Sequence, residues 1–456
     1  MFQKRGPYRS RGCYGYGGLF RRFSLRRRLL VGALICSVLW TVFEALYVYH
    51  RVAVVDSTQH QLARYNDGTG QASAERIFIA STHWNNEAIL RSHWNDAVVQ
   101  LATSLGPDRV FVSVYESGSW DDSKGALRAL DAQLDRLGVR RNITLSEITH
   151  QDEISVAPAL RGAGWIDTSR GQRELRRIPY LARPRNLSLR PLEDLARQGI
   201  VFDKVLFLND VVFTVNDVLT LLNTNGGNYA AACSLDFSQA PLYMTPLRSA
   251  MPTATNISRR HGHISARRLH GTRFSSWLLY RCEVAGTAWV SSFSPVHSVL
   301  LITSFPSVSP ATVAMPVEPF LSTPALRFRG IPDSLAQLHL EASECCLIHA
   351  DNPLSRTHGV YLNPQVRVGY NDLAYAAVHP STTWLTQQPQ PQPVALALWG
   401  NRLRRWFTGW LVRIKKSRIQ RKVAEWGRNH DGIREPGTFC LIDEMQVVVA
   451  HGWAHV

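Results

Sequence analysis

The residues best placed for chemistry are carboxylates at the ends of apolar runs. Val205–Leu208 stops abruptly at Asn209 and Asp210, and a second small apolar run, ending in AACSLDF, closes on Asp236. Between them lie a helix-like segment and the breaker Gly226-Gly227, giving a strand, helix, strand layout with an acid at each strand end. Open α/β sheets bind ligands outside the carboxyl ends of their strands. An acid there, on a basic chain, is suited to hold a divalent cation against a phosphorylated donor. Two further features stay open at this level. The turn from Glu116 to Asp122 could cap a helix or join the site. Arg176, Arg177, Arg183, Arg185 and Arg190 could form a solvated face or a diphosphate clamp, since Arg forks match phosphate.

The elements that must position these groups follow from periodicity. Arg76–Ala80 reads as a strand. Leu90, Trp94, Ala97, Val98, Leu101 and Leu105 then recur at helical spacing until Gly106. Val110–Tyr115 is the next strand. Asp121, Asp122 and Ser123 offer caps to a helix whose core face is Leu127, Leu130, Leu134 and Leu137, ending at Gly138. Strand and helix alternate through Phe237, which argues an α/β fold with a mostly parallel sheet and flanking helices.

Charge and hydropathy divide the rest. The 456 residues carry a formal net charge of +16, concentrated in the first 28 residues, with nine Lys or Arg, and in Arg402–Lys422, with nine more. Leu29–Tyr49 holds a single charge, Glu44, and is long enough for a single N-terminal transmembrane helix. The arginines before it predict a cytosolic tail (1–28), an anchor (29–49), a stem (50–75) and a lumenal body. Trp406, Phe407, Trp410, Leu411 and the basic residues to Lys422 could lie on a membrane surface or form a solvated face. Lumenal placement disfavours nucleic acid as a partner and permits disulfides, although the pairing among Cys233, Cys282, Cys345, Cys346 and Cys440 is not legible. Asn142, Asn186 and Asn256 fit the N-glycan acceptor pattern.

The stretches FIASTHWNNEAIL, VSVYESGSWDDSKGALRALDAQL, LFLNDVVFT, GGNYAAACSLDF, HLEASECCLIHADNP, GVYLNPQVRVGY and EPGTFCLIDEMQV run in order from Phe78 to Val447. Together they resemble the fungal capsule-associated (cryptococcal) α-1,3-mannosyltransferase family. The resemblance implies a GT-A (Rossmann-like) glycosyltransferase domain over 76–450 in a type II Golgi membrane protein. It also implies GDP-mannose as donor, Mn2+ or Mg2+ as cofactor, and a polysaccharide or glycan acceptor in capsule or cell-wall synthesis. On that pattern Asn209 and Asp210 look like the acidic metal motif, with Asp210 as ligand, and Asp236 would face sugar hydroxyls. Glu344 would contact the acceptor and His349, after a strand-like Cys345–Ile348, would complete the metal shell. Arg183 and Arg185 would grip the donor. The rival from another class is a non-catalytic Golgi membrane protein that binds glycan or a partner.

The middle of the chain departs from this pattern. Asp is absent between Asp236 and Asp333, and seven Arg fall from Arg248 to Arg281. Read one nucleotide early, the codons of Tyr243–Asn256 permit Tyr-Asp-Thr-Phe-Ala-Leu-Arg-Asp-Ala-Asp-Gly-Tyr. The same shift lets Cys282–Trp289 encode Arg-Ser-Cys-Trp-Asn-Gly-Met. Both strings resemble segments of the family. The expectation is that 244–315 is frameshifted or intron-derived and disordered, with family-like sequence resuming near Pro316, so that the replaced motifs would have carried part of the donor site; an inactive product of a faulty gene model is the alternative to the active enzyme.

Overall fold

The computed structural model describes residues 31–32, 34–43, 46, 75–237, 300–301, 312–379, 394–430 and 432–456. Its first half alternates strand and helix. Strand β1 (Ile77–His83) leads through a helical run to α1 (Asn95–Leu105), and β2 (Val110–Ser117) leads to α2 (Ser123–Arg136). Next come β3 (Arg140–Ser146), a small antiparallel pair β4 (Trp165–Asp167) and β5 (Arg173–Leu175), and the long helix α3 (Arg177–Arg197). Strand β6 (Lys204–Leu208), α4 (Val215–Leu222) and β7 (Ala231–Phe237) complete the portion in which periodicity was strongest.

β8 (Leu300–Leu301), β9 (Thr312–Pro316), β10 (Glu341–Ala342), α5 (Glu344–Asp351) and β11 (Val360–Gly369) follow. The chain then runs through α6 (Val394–Asn429), β12 (Leu441–Ile442), β13 (Gln446–Val449) and β14 (Gly452–His455). The main sheet has the order β3-β2-β1-β6-β9-β7-β11-β8. Pairs β1–β2, β2–β3, β1–β6 and β7–β11 are parallel. β9 lies antiparallel between β6 and β7, and β8 is antiparallel to β11. The mostly parallel α/β sheet is therefore as expected.

Both faces of this sheet are buried. Ile77, Ile79, Val112, Leu206 and Leu208 pack against Leu101, Leu127, Leu130 and Leu221 on one side. Phe78, Phe111, Val205 and Phe207 pack against Leu189, Leu192 and Phe328 on the other. A period-2 strand covered on both faces reads as a continuous apolar run, which is why these strands stand out in the sequence. The acidic turn resolves as a cap: Asp122 Oδ1 accepts from Gly125 N at 3.1 Å, and Asp121 Oδ1 accepts from Ser123 Oγ at 2.6 Å.

Three expectations need restating. The expected N-terminal transmembrane helix is corrected: among the described residues no helix is long and apolar enough to cross a membrane. The segment Cys345–Ile348, expected as a strand, lies inside α5, where the Ser343 hydroxyl caps the first turn by accepting from Cys345 N at 3.3 Å. Most of the expected aberrant segment, 244–315, lies outside the described residues, but Thr312–Met315, within it, belongs to β9 at the centre of the sheet.

Candidate active site at the switch point of the sheet

Strands β2 and β3 are added on one side of β1, and β6 lies on the other, so the loops leaving β1 and β6 diverge. Such a switch point is where open α/β sheets form a crevice. Asp210 stands in it, two residues beyond the end of β6. Its Oδ2 accepts a hydrogen bond from Asn86 Nδ2 at 3.0 Å, so a residue from the β1 loop holds the β6 carboxylate across the crevice. Asn86 is itself fixed. Its Oδ1 accepts from Trp84 N at 2.9 Å and lies 3.3 Å from His83 Nδ1, and its backbone N–H donates to Ser123 Oγ at 2.8 Å. His83 is fully buried, and burial pulls its pKa down to about 4, with Asn86 acting the other way.

The backbone beside Asp210 is held as firmly. Trp94 Nε1 donates to the Asn209 carbonyl at 3.0 Å. Val212 N donates to the Gly369 carbonyl at 2.6 Å and Tyr370 N to the Phe237 carbonyl at 2.9 Å. Tyr370 therefore sits between the Asp210 loop and the end of β7, which carries Asp236. Burial above all, then the charges of Asp236 and Asp210, raise its phenol well above the ordinary range. Asp236 Oδ1 accepts from Ser234 Oγ at 2.7 Å. The two carboxylates expected at strand ends are thus brought to one side of the sheet, around one tyrosine.

Other candidates sit differently. Arg185 is buried in α3; its Nε donates to Glu344 Oε1 at 3.1 Å and its Nη1 to Asn209 Oδ1 at 3.2 Å. Phe207 and Phe328 lie against the guanidinium, with ring centroids 5.0 and 5.5 Å away. Arg185 and Glu344 therefore bind each other and brace Asn209, rather than standing open to a donor and an acceptor. Arg183 projects from another face of α3 and pairs with Glu153 at 2.8 Å. Arg176 is buried against Asp333, Glu341 and the Ile331 carbonyl. The arginine run is thus neither one solvated face nor one clamp.

His349 lies in the last turn of α5, with Nε2 3.8 Å from Cys233 Sγ. Burial lowers its pKa to about 4, and its Nδ1 has no hydrogen-bond partner among the described residues. Among those residues no group of three or more His, Cys, Asp or Glu could hold a metal ion. The carboxylates Asp210 and Asp236 nevertheless suit a hard cation that arrives with a diphosphate, because such ions are commonly bound through one or two carboxylates plus phosphate oxygens. The residue that sequence reasoning missed is Asn86. Its signal was the pair Asn85-Asn86 just after β1, another strand carboxyl end.

Residues 76–351, more than half of the chain and including every element of this crevice up to α5, match the family described as Cryptococcal mannosyltransferase 1. The chain belongs to that family. Membership makes it a mannosyltransferase-type glycosyltransferase, as the resemblance implied. No curated protein matches the chain. Among solved structures it is similar to the mannosyltransferase PcManGT from Pyrobaculum calidifontis, determined in complex with GDP-Man and Mn2+. That match has 10% identity and a TM-score of 0.32, covering 86% of this chain and 77% of the other. S. aureus TarS 1–349 matches at 11% identity and a TM-score of 0.31, covering 64% and 60%. At these scores neither similarity carries an argument about the site.

Proposed function

We propose that this family member transfers mannose from GDP-mannose to a polysaccharide or glycan acceptor, forming an α-1,3 linkage in capsule or cell-wall synthesis. The observation that carries the reading is Asp210, held by Asn86 across the switch point of the sheet. Asp210, with Asp236 nearby, would hold Mn2+ or Mg2+ together with the donor diphosphate; when bound, such an ion acts as a Lewis acid that offsets charge on the departing nucleotide. The chain's own residues do the rest. Asn86 aims the carboxylate. Trp94 and Arg185 fix the two ends of Asn209, so that the loop after β6 does not shift when the donor enters. Asp236 would accept hydrogen bonds from sugar hydroxyls, and Tyr370, its phenol raised well above the ordinary range, keeps its proton beside the two acids. A preset arrangement of this kind lowers the reorganisation needed at the moment of transfer.

We further place the body in the lumen of the secretory pathway, in the Golgi. This reading is supported by the Cys346–Cys440 disulfide, since disulfides persist in oxidising compartments. Release of GDP from GDP-mannose by the full chain, with and without Mn2+ and with Asp210→Ala, tests the catalytic reading. Metal-dependent release that falls at least about 100-fold in the variant is expected. Equal rates in the variant, or in excess chelator, would overturn the role given to Asp210 and the metal, and no release by the wild type would leave a non-catalytic glycan-binding protein as the better description.

A further inference from the structure

Six side chains outside the carboxylate crevice form a second polar-aromatic cluster: Trp84 after β1, Trp120 after β2, His150, Arg177 at the start of α3, and His451 and Trp453 of the C-terminal hairpin. His150 stacks on Trp84 with centroids 4.2 Å apart and planes at 9°. Trp120 meets Trp84 edge-on at 5.4 Å and His451 at 4.6 Å, and the Arg177 guanidinium lies 3.8 Å from the centroid of Trp453. The two loops are stitched together, with Asn85 N donating to Ser119 Oγ at 2.8 Å and Trp120 N to Asn85 Oδ1 at 2.9 Å. The hairpin is tied to α3 by Arg177 Nη1 donating to Gln446 Oε1 at 2.6 Å.

Two features of this cluster call for a ligand. Trp84 Nε1, Trp453 Nε1, Arg177 Nε and His150 Nδ1 are all buried without a hydrogen-bond partner among the described residues. Buried polar groups are normally paired, and one left unpaired is destabilising. Trp120, by contrast, leaves 45% of its surface exposed, and His451 is exposed beside it. The exposed Trp120 indole, braced edge-on by Trp84 and His150 and flanked by the exposed His451 imidazole, offers an aromatic plane for the C–H face of a sugar ring and a ring nitrogen for its hydroxyls. A planar nucleobase fits less well, because one face of Trp84 is already covered by His150 and Trp120 approaches it edge-on. The cluster adjoins the crevice: Trp84 is two residues from Asn86, which holds Asp210.

We propose that the Trp84, Trp120 and Trp453 cluster is a glycan-binding subsite that holds the acceptor chain beside the transfer site. This assignment rests on the glycosyltransferase reading above. It is tested by titrating the full chain with α-linked mannotriose while following tryptophan fluorescence, in the wild type, Trp120→Ala and Trp120→Phe, with GDP titrated in parallel. Mannotriose should bind the wild type, bind Trp120→Ala about tenfold or more weakly, and bind Trp120→Phe with most of its affinity. No mannotriose binding to the wild type, equal binding to Trp120→Ala, or a loss confined to GDP would each overturn it. GDP-mannose hydrolysis without acceptor is read separately; its absence sinks the donor reading and leaves the mannotriose result to decide the subsite.

Discussion

At the scale of residues, the two acids expected to work together, Asp210 and Asp236, do share an environment, whereas Glu344 and Arg185 serve each other. Both members of that pair are nearly enclosed, and an ion pair out of water is stable only while both charges are present. Arg185→Met should therefore destabilise the fold by about 3–5 kcal/mol through the stranded carboxylate, and Arg185→Met with Glu344→Gln should recover much of that loss. Urea unfolding of the single and double variants measures it. A double variant no more stable than the single would mean that Arg185 acts mainly through Asn209. The sequon asparagines also separate at this scale. Asn186 Nδ2 donates to the Phe328 carbonyl at 2.8 Å while its Oδ1 accepts from Phe328 N at 3.0 Å, so its amide is committed to packing. Asn142 is exposed on the edge strand β3.

At the scale of elements, the C-terminal segment is tied back to the helices that brace the site. Cys346, two residues beyond Glu344 in α5, is bonded to Cys440 across 94 residues. The chain after Cys440 supplies β12, which pairs with β10, and the hairpin β13–β14 that reaches Arg177. A bridge closing so long a loop removes much freedom from the unfolded chain, so Cys440→Ser should lower stability by about 2–5 kcal/mol. The same loss should appear in the wild type under reductant, and adding reductant to the variant should change nothing more. Unfolding midpoints under the two conditions check this. A strong further effect of reductant on the variant would point to a different bridge.

At the scale of the whole molecule, the chain between β7 and β9 departs in composition from the rest of the body. β9 completes the centre of the sheet from Thr312, inside the segment expected to be aberrant. We propose that a frame shift or retained intron accounts for the sequence of 244–315. Sequencing the transcript decides: a message that restores the shifted frame is expected, and one that encodes the chain as written would remove the idea.

What the amino-acid order determined by itself is the local part. β1, β2, β6 and β7, their intervening helices, and the acids at the strand ends follow from periodicities of two and 3.6 residues and from cap and breaker residues, all of which act within a few positions. α5 was misread because its run Glu344–Ile348 is buried throughout and so shows no helical stripe. The span Leu29–Tyr49 was read from hydropathy alone, and no described helix is long and apolar enough to cross a membrane. Only the tertiary structure decided that Asn86 would meet Asp210 across 124 residues, that neighbouring arginines would find separate partners, and which cysteines would join. Those outcomes depend on where a twisted sheet brings distant loops together, and no local pattern encodes that.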